Sequence, residues 1–395
     1  MSAPKLRFKE FSGDWNNYQI NDISTVTSGG TPSRSNSKFW DNGTIPWITT
    51  SLVDFNIIKD ANEFITEEGL NNSSAKIFSK NTILIAMYGQ GVTRGKVAIL
   101  GIEATTNQAC AAITLKPTFN TTFIFQNIMN RYEEIRELSN DGGQKNLSAA
   151  IIKNININCP SKPEQTKIAT FLTAVDEKIS QLSQKQELLT QYKKGMMQKL
   201  FSQQIRFKAD DGSEFGEWEE KLLNDITQIT MGSSPKSENY NENQLGLPLL
   251  QGNADIKNRL SHPRIFTSEI TKKCNIGDIL LSVRAPVGFV ALSKHNACIG
   301  RGLASIRAKT NINQGFIYQV LLLKETKWAS LSQGSTFESV NSEQIKNLNI
   351  HLPTLPEQTK IANFLSAIDQ KIDLTTQQLE QAKQWKKGLL QQMFI

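Results

Sequence analysis

Two stretches of the chain carry apolar residues with the alternating four-and-three spacing of a heptad repeat. Such a seam is typical of a coiled-coil helix, and polar residues interrupt it at Gln186, Lys193, Thr375 and Lys386. A helix of about 38 residues runs roughly 57 Å, so each one needs a partner along its length to bury the seam. The seam residues are Ile168, Leu172, Val175, Ile179 and Leu182 in the first stretch, and Ile361, Leu365, Ile368, Ile372 and Leu379 in the second.

Both helices begin with nearly the same twenty residues, which start at Pro160 and at Pro353 and are identical at fourteen positions. Each start fits a capping box, with Ser161 or Thr354 at the N-cap and Glu164 or Glu357 three residues later. The pattern therefore predicts a capping role for the two glutamates. It leaves the glutamines that follow them, Gln165 and Gln358, unexplained, apart from the hypothesis that they hold the globular segment against the helix.

The duplication extends well beyond the helix starts. Arg7-Phe8-Lys9 recurs as Arg206-Phe207-Lys208, and residues 152–157 match residues 345–350, whereas the segments between these zones share little sequence. The chain is therefore predicted to consist of a globular segment and a helix, each present twice. The connections favour antiparallel helices in a nearly circular, pseudo-two-fold arrangement that brings Ile395 close to residues 6–8. A generic structural coiled coil that dimerises the protein is the alternative interpretation.

The globular segments combine short strand patterns with turn residues. Residues 81–86 and 96–100 are predicted strands of the first segment, and residues 278–283 and 287–292 of the second. The alternations at 154–157 and 347–350 predict a closing strand in each. The predicted fold class is mixed α/β (α+β), built around a twisted sheet in each segment.

The charge of the chain favours a polyanionic partner. The net charge is +7 and the isoelectric point is near 9.0, and nucleic acid is the usual partner of such a protein. The sequence has no apolar run of membrane-spanning length and no leader pattern, so we expect a cytoplasmic protein without membrane contact. Four scattered cysteines and three isolated histidines predict reduced thiols and no metal site.

Catalytic motifs are absent from the sequence. Residues 91–97 resemble a phosphate-binding loop, but Gln90 replaces its first glycine and Val97 its final serine or threonine. An acidic-x-lysine pattern at residues 219–221 is better explained as a solvated helix start. The chain is therefore not expected to be an enzyme on its own.

Polar and cationic loops lie at matching points of the two segments. Arginine and lysine pair with guanine, asparagine and glutamine pair with adenine, hydroxyl groups hold phosphate, and glycine permits close approach of the backbone. These loops predict a DNA-binding surface in each segment, although any one of them alone is better explained as an ordinary turn. The candidate DNA-binding residues are Gly29, Thr31, Ser33, Arg34, Thr49, Thr50, Ser51, Tyr88, Gln90, Arg94 and Lys96 in the first segment, and Gly232, Lys236, Gln251, Asn253, Arg284, Arg301, Ser335 and Thr336 in the second.

The whole chain resembles the specificity (HsdS) subunit of type I restriction–modification enzymes. The resemblance is carried by the Pro-Glu-Gln starts at residues 160–172 and 353–365, the helices after them, and the Gly-x-x-Pro turns at Gly29 and Gly232. Residues 45–48, Ile-Pro-Trp-Ile, belong to the same pattern and are matched only loosely by residues 247–250.

The resemblance implies a division of the chain into four parts. Residues 1–159 and 205–352 would be target recognition domains, each reading one half of an asymmetric bipartite site on double-stranded DNA. Residues 160–204 and 353–395 would be spacer helices that set the gap between the half-sites and dock two methyltransferase subunits. Motor–endonuclease subunits would join through that methyltransferase core.

The resemblance also implies that this chain holds no cofactor. S-adenosylmethionine, ATP and Mg²⁺ would be used by the other chains of an endonuclease and adenine-N6 methyltransferase complex. A stand-alone coiled-coil DNA-binding or architectural protein without catalytic partners is the competing interpretation.

Overall fold

The computed structural model describes residues 3–89, 92–138, 146–332 and 339–394. The chain divides into two compact units, which we call unit 1 (residues 1–182 with 378–395) and unit 2 (residues 183–377). Both long helices contribute a segment to each unit.

Unit 1 is built from short strands and mostly short helices. Its strands are β1 (Asn16–Gln19), β2 (Ser24–Ser28), β3 (Ile45–Ile48), β4 (Ile57–Ile58), β5 (Glu63–Ile65), β6 (Ile77–Phe78), β7 (Ile83–Ala86), β8 (Val97–Leu100), β9 (Ala104–Thr106), β10 (Cys110–Leu115) and β11 (Asn156–Cys159). Its helices are α1 (Ile20–Ile23), α2 (Glu67–Asn71), α3 (Thr121–Asn130), α4 (Tyr132–Glu137), α5 (Ala149–Lys153), the first part of α6 (Lys162–Phe201) and the last part of α10 (Leu355–Met393).

The strands of unit 1 form three sheets. The orders are β2-β10-β7-β8-β4, β5-β3-β9-β6 and the pair β1-β11. Strands β7 and β8 are buried along their whole length, which explains why both are continuous apolar runs in the sequence.

Unit 2 repeats this plan with a different division of strands. Its strands are β12 (Glu219–Leu222), β13 (Thr227–Met231), β14 (Tyr240–Asn241), β15 (Leu247–Leu250), β16 (Ile256–Lys257), β17 (Leu260–Ser261), β18 (Ile265–Thr267), β19 (Lys273–Cys274), β20 (Ile279–Ser282), β21 (Val290–Leu292), β22 (Ala297–Ile299), β23 (Leu303–Ala308) and β24 (Asn349–Leu352). Its helices are α7 (Leu223–Ile226), α8 (Gln314–Ser332), α9 (Ser342–Lys346), the first part of α10 (Leu355–Met393) and the remainder of α6. The sheets run β13-β23-β20-β21-β17-β16, β14-β18-β15-β22-β19 and β12-β24.

The structure confirms the mixed α/β class and the predicted strands, with shifted ends. The four strands predicted inside the segments correspond to β7, β8, β20 and β21. The predicted closing strands begin two residues later than expected, as β11 and β24, because the residues before them complete the short helices α5 and α9. Each closing strand pairs antiparallel with the first strand of its own unit.

The long helices run antiparallel to each other in both units. In unit 2, Lys193 of α6 binds Asp369 of α10 at 2.6 Å, and Gln186 donates a hydrogen bond to the Thr376 hydroxyl at 2.6 Å. In unit 1, Lys386 of α10 binds Asp176 of α6 at 2.5 Å. Three of the polar residues that interrupt the heptad seams therefore pair across the two helices. The fourth, Thr375, is buried and donates to the Lys371 carbonyl of its own helix.

The seam residues are buried in more than a two-helix interface. Ile168, Leu172 and Val175 belong to the main hydrophobic core of unit 1, together with strand and helix residues of the globular segment. Ile361, Leu365 and Ile368 belong to the corresponding core of unit 2, while Ile179 and Ile372 pack against these cores and Leu182 and Leu379 are buried. The seam therefore secures each globular segment to its own helix as well as pairing the helices.

Residues near the C-terminus pack against the first segment, in agreement with the predicted connection. The Leu6 amide donates to the Gln392 carbonyl at 2.9 Å, and the rings of Phe123 and Phe394 lie 5.2 Å apart. Ile395, for which the sequence predicted this position, lies outside the described residues.

The four cysteines are buried free thiols, as the sequence predicted. Burial raises the pKa of Cys110 and of Cys159 to about 12, which keeps both thiols protonated at neutral pH. Within the described residues, no helix has both the length and the apolar character that a bilayer crossing requires.

Truncation of one seam leucine tests the importance of this packing. Leu365 is fully buried, so Leu365→Ala should lower the free energy of unfolding of unit 2 by about 2–5 kcal/mol through lost burial and a cavity. Leu374 of the same helix is 56% exposed and provides the matched control Leu374→Ala. Urea unfolding followed by circular dichroism measures both, and equal shifts of the midpoint would contradict the assignment of Leu365 to the core.

Candidate nucleic-acid interface

The two loosely matched segments at residues 45–48 and 247–250 are equivalent in structure. They form β3 and β15, and each pairs in parallel with a strand that comes later in its unit. Trp47 lies opposite Thr105 in unit 1, and Leu249 lies opposite Cys298 in unit 2. The backbone thus aligns residues 49–51 with residues 251–253, a correspondence that the side chains alone did not reveal.

Three polar loops meet at the end of this strand in each unit. A backbone hydrogen bond holds the Gly-x-x-Pro turn of each unit there. In unit 1 the Gly30 amide donates to the Thr106 carbonyl at 2.8 Å, and in unit 2 the Ser233 amide donates to the Ile299 carbonyl at 2.9 Å. The third loop follows the parallel partner strand, β9 in unit 1 and β22 in unit 2. It is held by the Asn107 amide, which donates to the Ile48 carbonyl in unit 1, and by the Gly300 amide, which donates to the Leu250 carbonyl in unit 2. The strand end, the turn and the loop therefore form one polar edge per unit.

The two predicted glycines have an intramolecular reason for being glycine. A Cβ on Gly29 would lie 2.1 Å from the Thr106 carbonyl oxygen, and one on Gly232 would lie 2.1 Å from the Gly300 carbonyl oxygen. These contacts bring the turn against the neighbouring loop. They account for both glycines without any approach of the backbone to DNA.

The cation at the edge of unit 1 is held by its neighbours. The Arg34 guanidinium lies 3.8 Å from the ring centroid of Trp40 and 4.7 Å from that of Trp47, and it pairs with the Glu63 carboxylate. Such stacking fixes the plane of the guanidinium, and the ion pair with Glu63 occupies some of the N–H donors of Arg34.

The hydroxyl groups predicted for this edge also have partners among themselves or nearby. Thr31 donates to the Gln108 side chain, and the Thr49 and Ser51 hydroxyls lie 2.6 Å apart. Ser33 lies 2.9 Å from the Ser35 hydroxyl, and Thr50 opens a short 3₁₀ turn. The edge of unit 1 is therefore a hydroxyl-rich surface with one stacked arginine.

The remaining candidates of unit 1 lie in or beside the β7–β8 loop and have contacts of their own. Arg94 donates to the Arg136 carbonyl at 3.1 Å, and Lys96 binds Asp54 at 2.5 Å. Tyr88 is 41% exposed, and Gln90 lies outside the described residues. Neither cation is therefore displayed without a partner, contrary to the impression that the sequence alone gives.

Unit 2 has an open cleft at the corresponding edge. The cleft measures about 610 Å³, and the residues that line it include five of the predicted set, Lys236, Gln251, Asn253, Arg284 and Arg301. The Arg284 and Arg301 side chains are exposed, and neither has a hydrogen-bond or ion-pair partner among the described residues. Ser335 and Thr336 lie outside the described residues, whereas Ser339 forms a backbone bridge with Arg284.

The two glutamates at the helix starts form buried ion pairs and do not act as caps. Glu164 is 1% exposed and accepts two hydrogen bonds of 2.7 Å from Arg7. Glu357 is fully buried and accepts from Arg206 at 3.0 and 2.7 Å and from the Trp218 indole at 3.1 Å. These hydrogen bonds raise the pKa of both arginines above the ordinary value. The predicted capping box is wrong, because the carboxylates turn towards the repeated Arg-Phe-Lys segments instead of their own N-caps.

The two glutamines that follow join the globular segment to the helix. Gln165 accepts from the Asn120 amide at 2.9 Å and donates to the Pro160 carbonyl at 2.9 Å. Gln358 accepts from the Asn313 amide at 2.9 Å and donates to the Pro353 carbonyl at 2.7 Å.

Asn120 and Asn313 in turn start the helices of the globular segments. The Asn120 side chain accepts from the Phe123 amide and donates to Thr166, and Asn313 does the same with Phe316 and Thr359. The sequence alone did not reveal these asparagine partners. For the ion pairs of the two glutamates a signal was available in the sequence, because Arg7 and Arg206 recur together with Glu164 and Glu357.

Comparison with known proteins gives one family along most of the chain. A family model described as the type I restriction modification DNA specificity domain matches residues 12–191 and again residues 216–384. The putative type I restriction enzyme MjaX specificity subunit of Methanocaldococcus jannaschii is 35% identical over 255 residues, which are 62% of this chain and 60% of that protein. The MjaVIII specificity subunit of the same organism is 23% identical over 420 residues, covering 97% of this chain and 94% of that protein. The match to the first of these relatives thus spans less than two thirds of its length.

Two solved structures have the same fold along the whole chain. The S subunit of a type I restriction–modification system from M. genitalium superposes with a TM-score of 0.67 at 17% identity, covering 100% of this chain and 99% of that one. A chain from a study of complex assembly and conformational transition in a type I system superposes with a TM-score of 0.58 at 21% identity, covering 98% of both chains.

Removal of one arginine tests the buried ion pair of unit 2. Arg206→Ala leaves the Glu357 carboxylate buried with only the Trp218 indole as a donor, so the free energy of unfolding should fall by about 3 kcal/mol. A second change, Glu357→Gln, removes the buried charge and should restore part of the loss. Lys208→Ala is the matched control, because Lys208 lies in the same segment and its pair with Glu214 is exposed on both sides. Thermal and urea unfolding measure all variants, and an Arg206→Ala variant as stable as the control would contradict the structural role of the pair.

Proposed function

Because the chain belongs to the type I restriction modification DNA specificity family, we propose that it is the DNA-binding specificity subunit of a type I restriction–modification complex. The observation that carries the proposal is the duplicated polar edge. The same strand end, turn and loop occur in both units, but their side chains differ between the two. A constant frame with exchanged side chains is what two readers of different half-sites require.

The predicted division of the chain is retained in this proposal. Residues 1–159 and 205–352 act as target recognition domains that read the two halves of an asymmetric site on double-stranded DNA. Residues 160–204 and 353–395 act as spacer helices. The net charge of +7 supports a phosphate-binding component of the affinity, which weakens as the salt concentration rises.

The proposal assigns catalysis to partner chains. Two methyltransferase subunits dock on this chain and use S-adenosylmethionine, and motor–endonuclease subunits join them and use ATP and Mg²⁺. This chain holds none of these cofactors and acts in the cytoplasm. The partners are supported by the names of the related proteins, which are specificity subunits of type I restriction enzymes.

Exchange of one reader tests the modular assignment. Replacing residues 15–150 with the corresponding segment of another specificity subunit should change one half of the methylated sequence and leave the other half intact. Single-molecule methylome sequencing of cells that carry the chain with its partner subunits gives the result. A change in both halves would contradict independent readers.

Two further measurements separate the complex from a stand-alone DNA-binding protein. The full-length chain should co-purify with a methyltransferase subunit, and Leu172→Asp with Leu365→Asp should abolish methylation because both leucines are fully buried. A chain that binds one sequence specifically as an isolated monomer, without any methyltransferase, would favour the architectural alternative.

A further inference from the structure

The cleft of unit 2 and the edge of unit 1 differ in whether their positively charged side chains are paired with carboxylates. In unit 1, Arg34 is paired with Glu63 and Lys96 with Asp54. In unit 2, Arg284 and Arg301 are among the residues that line the cleft, and neither side chain has a hydrogen-bond or ion-pair partner among the residues that the structure describes. A guanidinium without a partner keeps all five of its donors for a ligand.

One hydrogen-bond acceptor in the same cleft is also unsatisfied. The Asn253 side-chain oxygen is buried and has no hydrogen-bond partner within the described part of the chain. Its amide nitrogen donates to the Pro286 carbonyl at 3.4 Å, which fixes the orientation of the group. A buried carbonyl oxygen without a donor is costly, so a ligand that offers an N–H group at this point is favoured.

The backbone around these side chains is held in place before any ligand binds. The Arg301 amide donates to the Ser234 hydroxyl at 3.2 Å, and Gly302 packs so closely that an added Cβ would lie 2.2 Å from the Gln251 carbonyl oxygen. Gln251 itself donates to the Tyr240 hydroxyl at 2.9 Å, and Tyr240 donates to the Pro235 carbonyl at 3.0 Å. Arg301 therefore extends from a backbone that is fixed before binding, which lowers the entropic cost of binding.

We propose that this cleft reads a G·C base pair through its major-groove edge, with Arg284 or Arg301 on the guanine and the Asn253 side-chain oxygen on the cytosine. The proposal rests on the DNA-reading function proposed above. Guanine presents two acceptors, N7 and O6, which match the forked donors of arginine, and cytosine presents the N4 amino donor beside them. The free groups of the cleft are the complement of this pattern.

DNA backbone phosphate is the alternative ligand for Arg284 and Arg301, and Arg→Lys variants distinguish a phosphate contact from guanine recognition. Lysine keeps the positive charge of arginine but loses the forked pair of donors. A phosphate contact therefore survives Arg→Lys, whereas bidentate guanine recognition does not.

The experiment selects bound sequences from a pool of duplexes with randomised positions, using the complex isolated with the full-length chain. The half-site of unit 2 is identified as the half that stays unchanged when residues 15–150 are exchanged. Arg284→Lys, Arg301→Lys and Asn253→Ser are compared with Lys257→Arg, a conservative change at an exposed lysine of unit 2 that does not line the cleft. Binding to a duplex of unrelated sequence is titrated against salt for each variant.

The wild-type complex should select a G·C pair in the half-site of unit 2. At least one arginine variant should lower the preference for guanine at that position by about 10-fold or more, with unchanged binding to the unrelated duplex. Asn253→Ser should lower the preference at the same base pair, and Lys257→Arg should leave it unchanged.

Three results would overturn the inference. One is a half-site of unit 2 without a G·C pair, and another is a full guanine preference in both arginine variants. The third is an equal loss of binding to every sequence in both arginine variants, which would show that neither arginine distinguishes one base from another. Failure of the wild-type complex to select any sequence would instead contradict the proposed function itself.

Discussion

The arrangement of each unit depends on one buried carboxylate at the start of a long helix. Glu164 and Glu357 are removed from water, and an arginine from a distant segment binds each of them through two hydrogen bonds. An apolar contact of the same size would stabilise the fold about as well. The paired hydrogen bonds of the ion pair, however, are directional, so they favour one position of the Arg-Phe-Lys segment at the helix start. The neighbouring glutamine accepts a hydrogen bond from an asparagine of the globular segment. The Arg-Phe-Lys segment, the globular segment and the long helix therefore meet at the helix start.

This fixed junction leaves the polar edges free to differ. Both units build their edge from the same strand pairing and the same backbone hydrogen bonds, and glycines hold the turn tightly against its neighbour. On this frame, unit 1 places hydroxyl groups and an arginine stacked on tryptophan. Unit 2 places two arginines and an amide oxygen that have no side-chain partner among the residues the structure describes. The units therefore share a scaffold but differ in the pairing of the cations at the surface where we propose that DNA binds. The difference lies in how the cations are paired, since both edges contain them.

Elements that depend on local periodicity could be predicted from the sequence. Contacts between residues far apart in the chain could not. The heptad seams and the alternating strands are local patterns, so the two long helices and six of the described strands were predicted within a few residues. A Ser-x-x-Glu pattern is equally compatible with a cap and with a buried ion pair, and only the position of Arg7 in the fold decides between them. In the same way, Lys96 and Arg284 look alike in the sequence, yet one meets Asp54 and the other meets no partner in the described structure. The equivalence of Trp47 and Leu249 was weak in sequence because the strand pairing that they share depends mainly on the backbone.

The composition of unit 1 also has a consequence for how the protein is made. Leu389, Leu390, Met393 and Phe394 of α10 belong to the same hydrophobic core as the strands of the first segment. A ribosome synthesises these residues only after it has finished the whole of residues 183–377, which form the other unit. During translation the first unit therefore exposes an unfilled core and stays open to chaperones and proteases, while the second unit already has all its residues. A nascent chain that stops before residue 389 therefore lacks part of the core of the first unit, even though the second unit has all its residues.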